Sequence, residues 1–339
     1  MKKKLSMCLL LTVILAIAAS PVKAAVSAYA FGDYYFILNS NTAAQENQHG
    51  FWLRRVYFTY DADISDKIKA RFRLEMNSDG KLGTTEVSLT PYLKDAYLNY
   101  KIHDLHSLML GIQESLTYNN IEKFYGYRQL EKTPFDLYKT RSSRDFGLSL
   151  KGSFDSGKKF GYALMYGNNS SNKNEINKYK QVSGCFTVTP NPNWMFEIGG
   201  DMVTFSATKK SSLLQGFAGF QGDWGRIGLN YGHETISEDG KDDVNFNMFS
   251  AFIVGKLSKK LEAILRYDMC MDPLVGGNDS FLLIEKGYEA DFLMAGLALN
   301  IHPRFQLIPN IKIVSYKENA AGVAPGDFSQ FNITFYYVF

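Results

Sequence analysis

From about residue 29 onward, apolar and polar side chains alternate along most of the chain. Ile68, Ala70, Phe72, Leu74 and Met76 take every second position, with Lys67, Lys69, Arg71, Arg73 and Glu75 between them. Leu261, Ala263, Leu265, Tyr267 and Met269 alternate likewise with Lys260, Glu262, Ile264, Arg266 and Asp268. A strand sends successive side chains to opposite faces, so a period of two predicts strands with one oily and one charged face. Such segments fall near 29–38, 51–63, 67–77, 93–102, 106–114, 145–153, 160–167 and 180–189. Eight more fall near 194–204, 212–222, 225–236, 246–256, 260–270, 288–300, 304–315 and 328–339, which makes sixteen strands.

The gaps between the segments alternate too. Short turns follow the even-numbered strands, among them Ile64-Ser65-Asp66, His103-Asp104-Leu105, Gly222-Asp223-Trp224 and His302-Pro303. The other gaps are longer and polar, for example Asn168 to Tyr179, Ser237 to Asn245 and Met271 to Gly287. Short turns at one end and long loops at the other mark an outer-membrane barrel. A soluble β-sandwich shares the period, with its oily face inside, so period alone does not decide. Segment length, often 9–12 residues, suits a tilted bilayer crossing. Aromatic residues gather near strand ends, as in Tyr34-Tyr35-Phe36, Phe51-Trp52 and Tyr336-Tyr337, like the girdles at a membrane boundary. The reading is an all-β protein: a transmembrane antiparallel β-barrel of about 16 strands. Its last strand, Phe331 to Phe339, carries an aromatic or Ile on every second position and ends on one, as expected if it pairs with the first strand to close the barrel.

The start of the chain adds export. Lys2, Lys3 and Lys4 precede an apolar run from Cys8 to Ala19, and small residues follow through Ala24 and Ala25. That order reads as a signal peptide over residues 1–24, leaving residues 25–339 as one barrel domain exported to the bacterial outer membrane. The formal charge of +3 includes four lysines within residues 1–24, so the mature chain carries −1. Net charge therefore gives nucleic acid no claim as a partner. Cys185 and Cys270 are too few for a disulfide framework.

Sixteen strands enclose a water-filled lumen, where eight would be plugged by side chains. The longest gap, Ser115 to Arg144, is the natural constriction, as a long third loop folded inward. Its middle, Asn120 to Leu130, is a helix candidate. Lys123, Arg128, Lys132, Lys139, Arg141 and Arg144 outnumber Glu122, Glu131 and Asp136 by three within it. A basic loop in the bore would favour anions; the competing reading is an external loop with solvated charges.

Gly50-Phe51-Trp52-Leu53-Arg54-Arg55-Val56-Tyr57, followed by Ile64-Ser65-Asp66-Lys67, resembles the early hairpin of the phosphate-selective porin O and P family. So does Lys94-Asp95-Ala96-Tyr97-Leu98-Asn99-Tyr100 with Leu108 to Gln113 and the loop after it. The resemblance covers residues 50–150. It implies a trimeric, sixteen-stranded channel with anion preference, phosphate-like solutes and no catalysis. Strand parity then places Arg55, Lys69, Arg71 and Arg73 in the lumen and Arg54 at the rim. With Lys123 and Arg128 from the loop, these are the expected channel-lining residues. Lumen acids are expected at Asp61, Glu75, Glu197, Asp201, Glu262 and Asp268, so the strand cations form either an open cationic stripe or a salt-bridge network.

No metal or cofactor is expected. His103 and His106 have ligand-like spacing but sit in a short turn with only Asp104 nearby. No nucleophile elbow, phosphate loop or paired-cysteine zinc pattern occurs, so no enzyme is expected. The leading reading is a porin that passes small anionic or hydrophilic solutes. A non-selective porin, a closed structural or adhesive barrel and a membrane hydrolase stay open at this point.

Overall fold

The structure is a computed structural model, and it describes residues 23–78, 82, 88–277 and 281–339. Sixteen strands follow one another: β1 (Lys23–Asn39), β2 (His49–Asp63), β3 (Ile68–Ser78), β4 (Leu89–His103), β5 (His106–Glu114), β6 (Arg144–Ser153), β7 (Phe160–Gly167) and β8 (Gln181–Val188). The second half comprises β9 (Trp194–Thr204), β10 (Lys209–Gly222), β11 (Gly225–Glu238), β12 (Val244–Ser258), β13 (Leu261–Cys270), β14 (Ala290–His302), β15 (Phe305–Tyr316) and β16 (Phe328–Val338). Each pairs antiparallel with its neighbours in sequence, and β16 pairs with β1 to close the barrel. Two short helices, α1 (Asn119–Tyr125) and α2 (Pro134–Leu137), lie in the loop between β5 and β6, called L3 below.

Alternation predicted most strand bounds closely, with three exceptions, one of them β4, which starts at Leu89 rather than near 93. β1 starts at Lys23 rather than near 29, since Ala24, Ala25, Ser27 and Ala28 are too small to display the alternation. β10 starts at Lys209, so the expected long gap before it shrinks to the four residues Phe205–Thr208. The expected leader lies outside the described residues, except that Lys23 and Ala24 already pair as strand with Asp63 and Ala62.

The barrel is inside-out. Phe72, Leu98, Leu110, Leu148, Ile198, Leu229, Leu265 and Leu297 face outward and are exposed, whereas Glu75, Asp95 and Asp268 face inward and are fully buried. An oily belt around a charged interior suits a wall bathed in lipid and a lumen bathed in water. No helix is long and apolar enough to cross a membrane among the described residues. The chain end is tied down, because Phe339 and Ala28 exchange two backbone hydrogen bonds, 2.9 and 3.2 Å long. The seam is held from inside as well, where the Thr334 hydroxyl donates to Asp33 at 2.6 Å.

Two β-bulges correct the parity argument. Between β1 and β2 the register passes from Phe31 opposite Arg55 to Gly32 opposite Leu53, so Arg54 is the extra residue. Between β3 and β4 it passes from Arg73 opposite Asp95 to Leu74 opposite Leu93, so Lys94 is extra. A bulge lets two successive side chains take the same face. Arg54, expected at the rim, therefore enters the bore beside Arg55 and is buried, and Lys94 joins Asp95 inside.

The interior is partly filled. L3 folds into it and packs Ile121, Tyr125, Tyr127, Leu130, Phe135, Leu137 and Tyr138 against the inner faces of β10 to β16, where Phe217, Phe246, Phe252, Phe292 and Met294 meet them. Glycines on that wall act as sockets. A Cβ on Gly232 would collide with the Phe135 ring, and one on Gly219 would stand 2.6 Å from Phe124.

Candidate solute pathway

The lumen acids and several unforeseen cations fasten L3 to the wall. From β2, Arg54 donates to the carbonyls of Gln129 and Leu130 and pairs with Asp33 at 2.9 Å. From β15, Lys312 donates to the Leu130 carbonyl at 2.8 Å and to the Glu131 carboxylate at 2.7 Å. From β13, Arg266 donates to the Lys132 carbonyl while holding Asp268 at 2.6 Å. From β11, Arg226 donates to the Tyr125 carbonyl, at 2.9 Å from Nη2. Four wall cations thus take up carbonyls of the 125–132 segment, which would otherwise lie buried without donors.

Acids grip the flanks of the loop. Asn120 donates to Glu197 at 2.6 Å, Tyr127 donates to Glu262, and Tyr138 donates to Asp268 at 3.0 Å. Arg141 spans Asp201 at 2.7 Å and Glu234 at 2.5 Å. Burial works against the charge on Arg141, yet hydrogen bonding to Asp201 and the charges of Asp201 and Glu234 outweigh it and hold its pKa above the ordinary value. Of the six acids expected in the lumen, Glu197, Asp201, Glu262 and Asp268 are spent on L3.

The other two, Glu75 and Asp61, face the opposite wall. Glu75 sits between Arg55 at 3.2 Å and Lys94 at 2.9 Å. Asp95 sits between Arg73 at 3.3 Å and Arg144. Four cations thus share two carboxylates, an excess of two positive charges. Both acids are fully buried behind their partners. Toward the short turns, Arg71 pairs with Asp61 at 2.7 Å and Lys69 with Asp63 at 3.2 Å. The expected stripe of Lys69, Arg71 and Arg73 is therefore a ladder of ion pairs, each cation facing an acid of the adjacent strand. In L3, Lys123 reaches Glu114 at 3.5 Å, and Arg128 lies between Glu122 at 3.1 Å and Asp136 at 3.6 Å.

Two cavities flank L3. One, of about 710 Å³, opens toward the long loops and is lined by Arg55, Tyr92, Lys94, Arg144, Asn172 and Lys173, with Asp136 its one lining carboxylate among the described residues. The other, of about 560 Å³, lies toward the short turns and is lined by Lys123, Lys151, Lys158, Tyr162, Cys185 and Thr187, with no lining carboxylate among the described residues. The lining of both is basic.

This architecture is known. No protein-family model matches the chain, and no curated protein matches it in sequence. Solved structures do match. The anion-selective porin from Comamonas acidovorans superposes with a TM-score of 0.68 over 94% of this chain and 100% of that one, at 12% identity. OmpF of Salmonella typhi in complex with daunomycin gives 0.67 over 94% and 98%, at 11% identity. The trimer form of OmpT from Vibrio cholerae gives 0.64 over 94% and 100%, at 12% identity. The chain has the porin fold. At these identities the likeness is one of fold.

Of the residues expected from sequence, Arg55 lines the upper cavity and Lys123 the lower, while Arg73 backs the upper one through Asp95. Lys69 and Arg71 stand apart from both, and Arg128 is held within L3. Lys94, Arg226 and Lys312 gave no sign of their roles. The bulge that turns Lys94 inward leaves no mark in the alternation, and a lone Lys or Arg on a strand does not reveal which loop it will meet. The two turn histidines meet no metal-like cluster among the described residues; His106 instead bonds Tyr162 at 3.0 Å.

Proposed function

We propose that the protein is a diffusion porin of the bacterial outer membrane that favours small anions, phosphate-like ones among them. The observation that carries this reading is the basic lining of both cavities, with the neutralising acids either buried behind the cations or committed to L3. A solute meets Lys173, Lys94, Arg144 and Arg55 on one side of the loop and Lys123, Lys151 and Lys158 on the other. Selection then comes from bore width and lining charge, without bond-making chemistry or a cofactor. Arg55, Arg73, Lys94, Lys123 and Arg144 are the residues we assign to solute selection. Lys69, Arg71 and Arg128 contribute positive potential from within their ion pairs. The solved structures of the same fold, one named anion-selective and one in a trimer form, support an anion channel and a homotrimer embedded in outer-membrane lipid.

Planar-bilayer recording tests the proposal. Stepwise conductance is expected, with a reversal potential in a salt gradient on the chloride side of zero and phosphate reducing chloride current. A flat trace refutes the channel, and a cation-selective reversal potential refutes the anion preference.

A further inference from the structure

The outer wall carries a second feature, unrelated to the lumen. Three successive rows of outward-facing residues run across β7 to β11 near the long-loop end. The row nearest that end holds Lys180, Thr204, Lys210 and Ser237, joined by the Lys180–Thr204 backbone bond and the pairings of Lys210 with Thr204 and Ser237. The next row holds Tyr166, Val182, Met202, Ser212 and Thr235 in register. The third holds Leu164, Gly184, Gly200 and Leu214, with the two glycines directly opposite each other.

These rows form two adjoining hollows that share Val182, Met202 and Ser212. The upper, of about 630 Å³, takes Lys178, Tyr179, Lys180 and Lys210 into its lining. The lower, of about 450 Å³, is walled by Leu164, Val182, Met202 and Leu214 and floored by Gly184 and Gly200. The glycine pair removes two side chains from between Leu164, Val182, Met202 and Leu214, and His233 of β11 closes the row beyond Leu214. Strand rise sets the lysine row roughly 13 Å from the glycine row, four residues along the strand. The four-residue loop Phe205–Thr208 leaves this stretch of rim low. Lys180 is engaged by Glu175 at 3.1 Å. Lys178 rests over the Tyr179 ring at 5.9 Å, and neither Lys178 nor Lys210 forms an ion pair with another described residue.

Cations at the level where polar residues replace oily ones, above an apolar dent, match one chemistry. An amphiphile with a phosphorylated head and several acyl chains would place phosphate among the lysines and a chain over the glycines. We propose that this groove binds one such phosphorylated, multiply acylated lipid of the outer leaflet. The proposal rests on the membrane placement of the wall and not on the channel or its selectivity. A flat conductance trace would remove the porin reading and leave this site standing.

The test uses the purified full-length protein in detergent, with a hexa-acylated glucosamine disaccharide bisphosphate as probe and its dephosphorylated counterpart as control. Binding is read by native mass spectrometry and by lipid titration of thermal unfolding. A lysine beside an anionic head is worth about fivefold in affinity, so Lys178→Glu with Lys210→Glu is expected to weaken the bisphosphate by about 25-fold or more. Loss of the phosphates should weaken binding to wild type comparably. Gly184→Leu fills the dent and should weaken both lipids; its Cβ meets only the movable end of Leu164, at 2.9 Å, and the Ala163 carbonyl, at 3.4 Å. Equal binding of the two lipids to wild type, or an unchanged affinity in the lysine variant, overturns the proposal. The comparison of lipids on wild type stands even if a variant fails to fold.

Discussion

The anion preference can be tested by removing charge without orphaning an acid. Lys94→Gln together with Arg144→Gln leaves Glu75 with Arg55 at 3.2 Å and Asp95 with Arg73 at 3.3 Å. Glu114, which Arg144 also approaches at 3.7 Å, keeps Lys123 at 3.5 Å. The local excess of two positive charges falls to none. A volume of about 710 Å³ is that of a sphere about 5.5 Å in radius, so an ion at its centre sits ~6 Å from the lining charges. At that distance one charge contributes about 0.7 kcal/mol in water-like dielectric. Screening at 0.1 M salt reduces this to about 0.4 kcal/mol. Two charges then cost an anion about 0.8 kcal/mol and favour a cation by as much, so the anion-to-cation permeability ratio should fall roughly tenfold. The assay is the reversal potential across a planar bilayer in a KCl gradient, compared with wild type. An unchanged reversal potential, in a variant that still conducts, would refute the claim that these cavity-lining cations set selectivity.

Three further outcomes follow from the packing. Arg266→Met strands Asp268 in the interior, at a cost of about 3–5 kcal/mol; the thermal unfolding midpoint should drop, and Arg266→Met with Asp268→Asn should recover most of the loss, whereas a midpoint that does not move would show that the pair is not holding L3. Gly232→Val fills the socket of Phe135, so single-channel current should become larger and noisier as L3 lifts; Gly216→Val, where a Cβ meets nothing within 4 Å, should leave the current alone, and identical traces from both variants would contradict the socket. Deleting Phe339 removes its two backbone bonds with Ala28, worth about 1–3 kcal/mol together; the barrel should unfold at lower temperature with unaltered conductance, and an undiminished midpoint would argue against a seam role.

Much of the barrel is legible in the chain because a membrane wall imposes its period on every strand. Lipid outside and water inside demand alternation, and alternation is local. The turn-to-loop asymmetry is local as well, and so is the length of L3. What escaped is whatever depends on register between strands. Arg54 shares parity with Val56 and Phe58, which is why the rim was the natural place for it, and only the pairing of Gly32 with Leu53 reveals the bulge that turns it inward. The same holds for Lys94, which lies within the segment that resembles the porin O and P family and yet gives no hint of its direction. Gly219 and Gly232 read as ordinary strand glycines until Phe124 and Phe135 arrive from a loop about a hundred residues earlier in the chain.

Register also settles the choice that the sequence left open between a cationic stripe and a network of ion pairs. Lys69, Arg71 and Arg73 all meet acids, so counting cations on one strand overstates the field in the bore. The excess lies where one carboxylate serves two cations, at Glu75 and at Asp95, and both bulges sit beside those acids. Each bulge brings one more cation inside than strict alternation allows: Lys94 for the lining, Arg54 for the hold on L3. The acids that could have cancelled the surplus are occupied, five of them (Glu197, Asp201, Glu234, Glu262 and Asp268) in gripping the loop. A chain whose 37 Lys and Arg barely outnumber its 34 Asp and Glu can in this way present a basic path, because its carboxylates are buried or bonded while its ammonium and guanidinium groups line the cavities. On this argument selectivity is a matter of which charges face the solute. A variant that released Asp201 or Glu234 by removing Arg141 should therefore lower anion preference by more than the single lost cation accounts for.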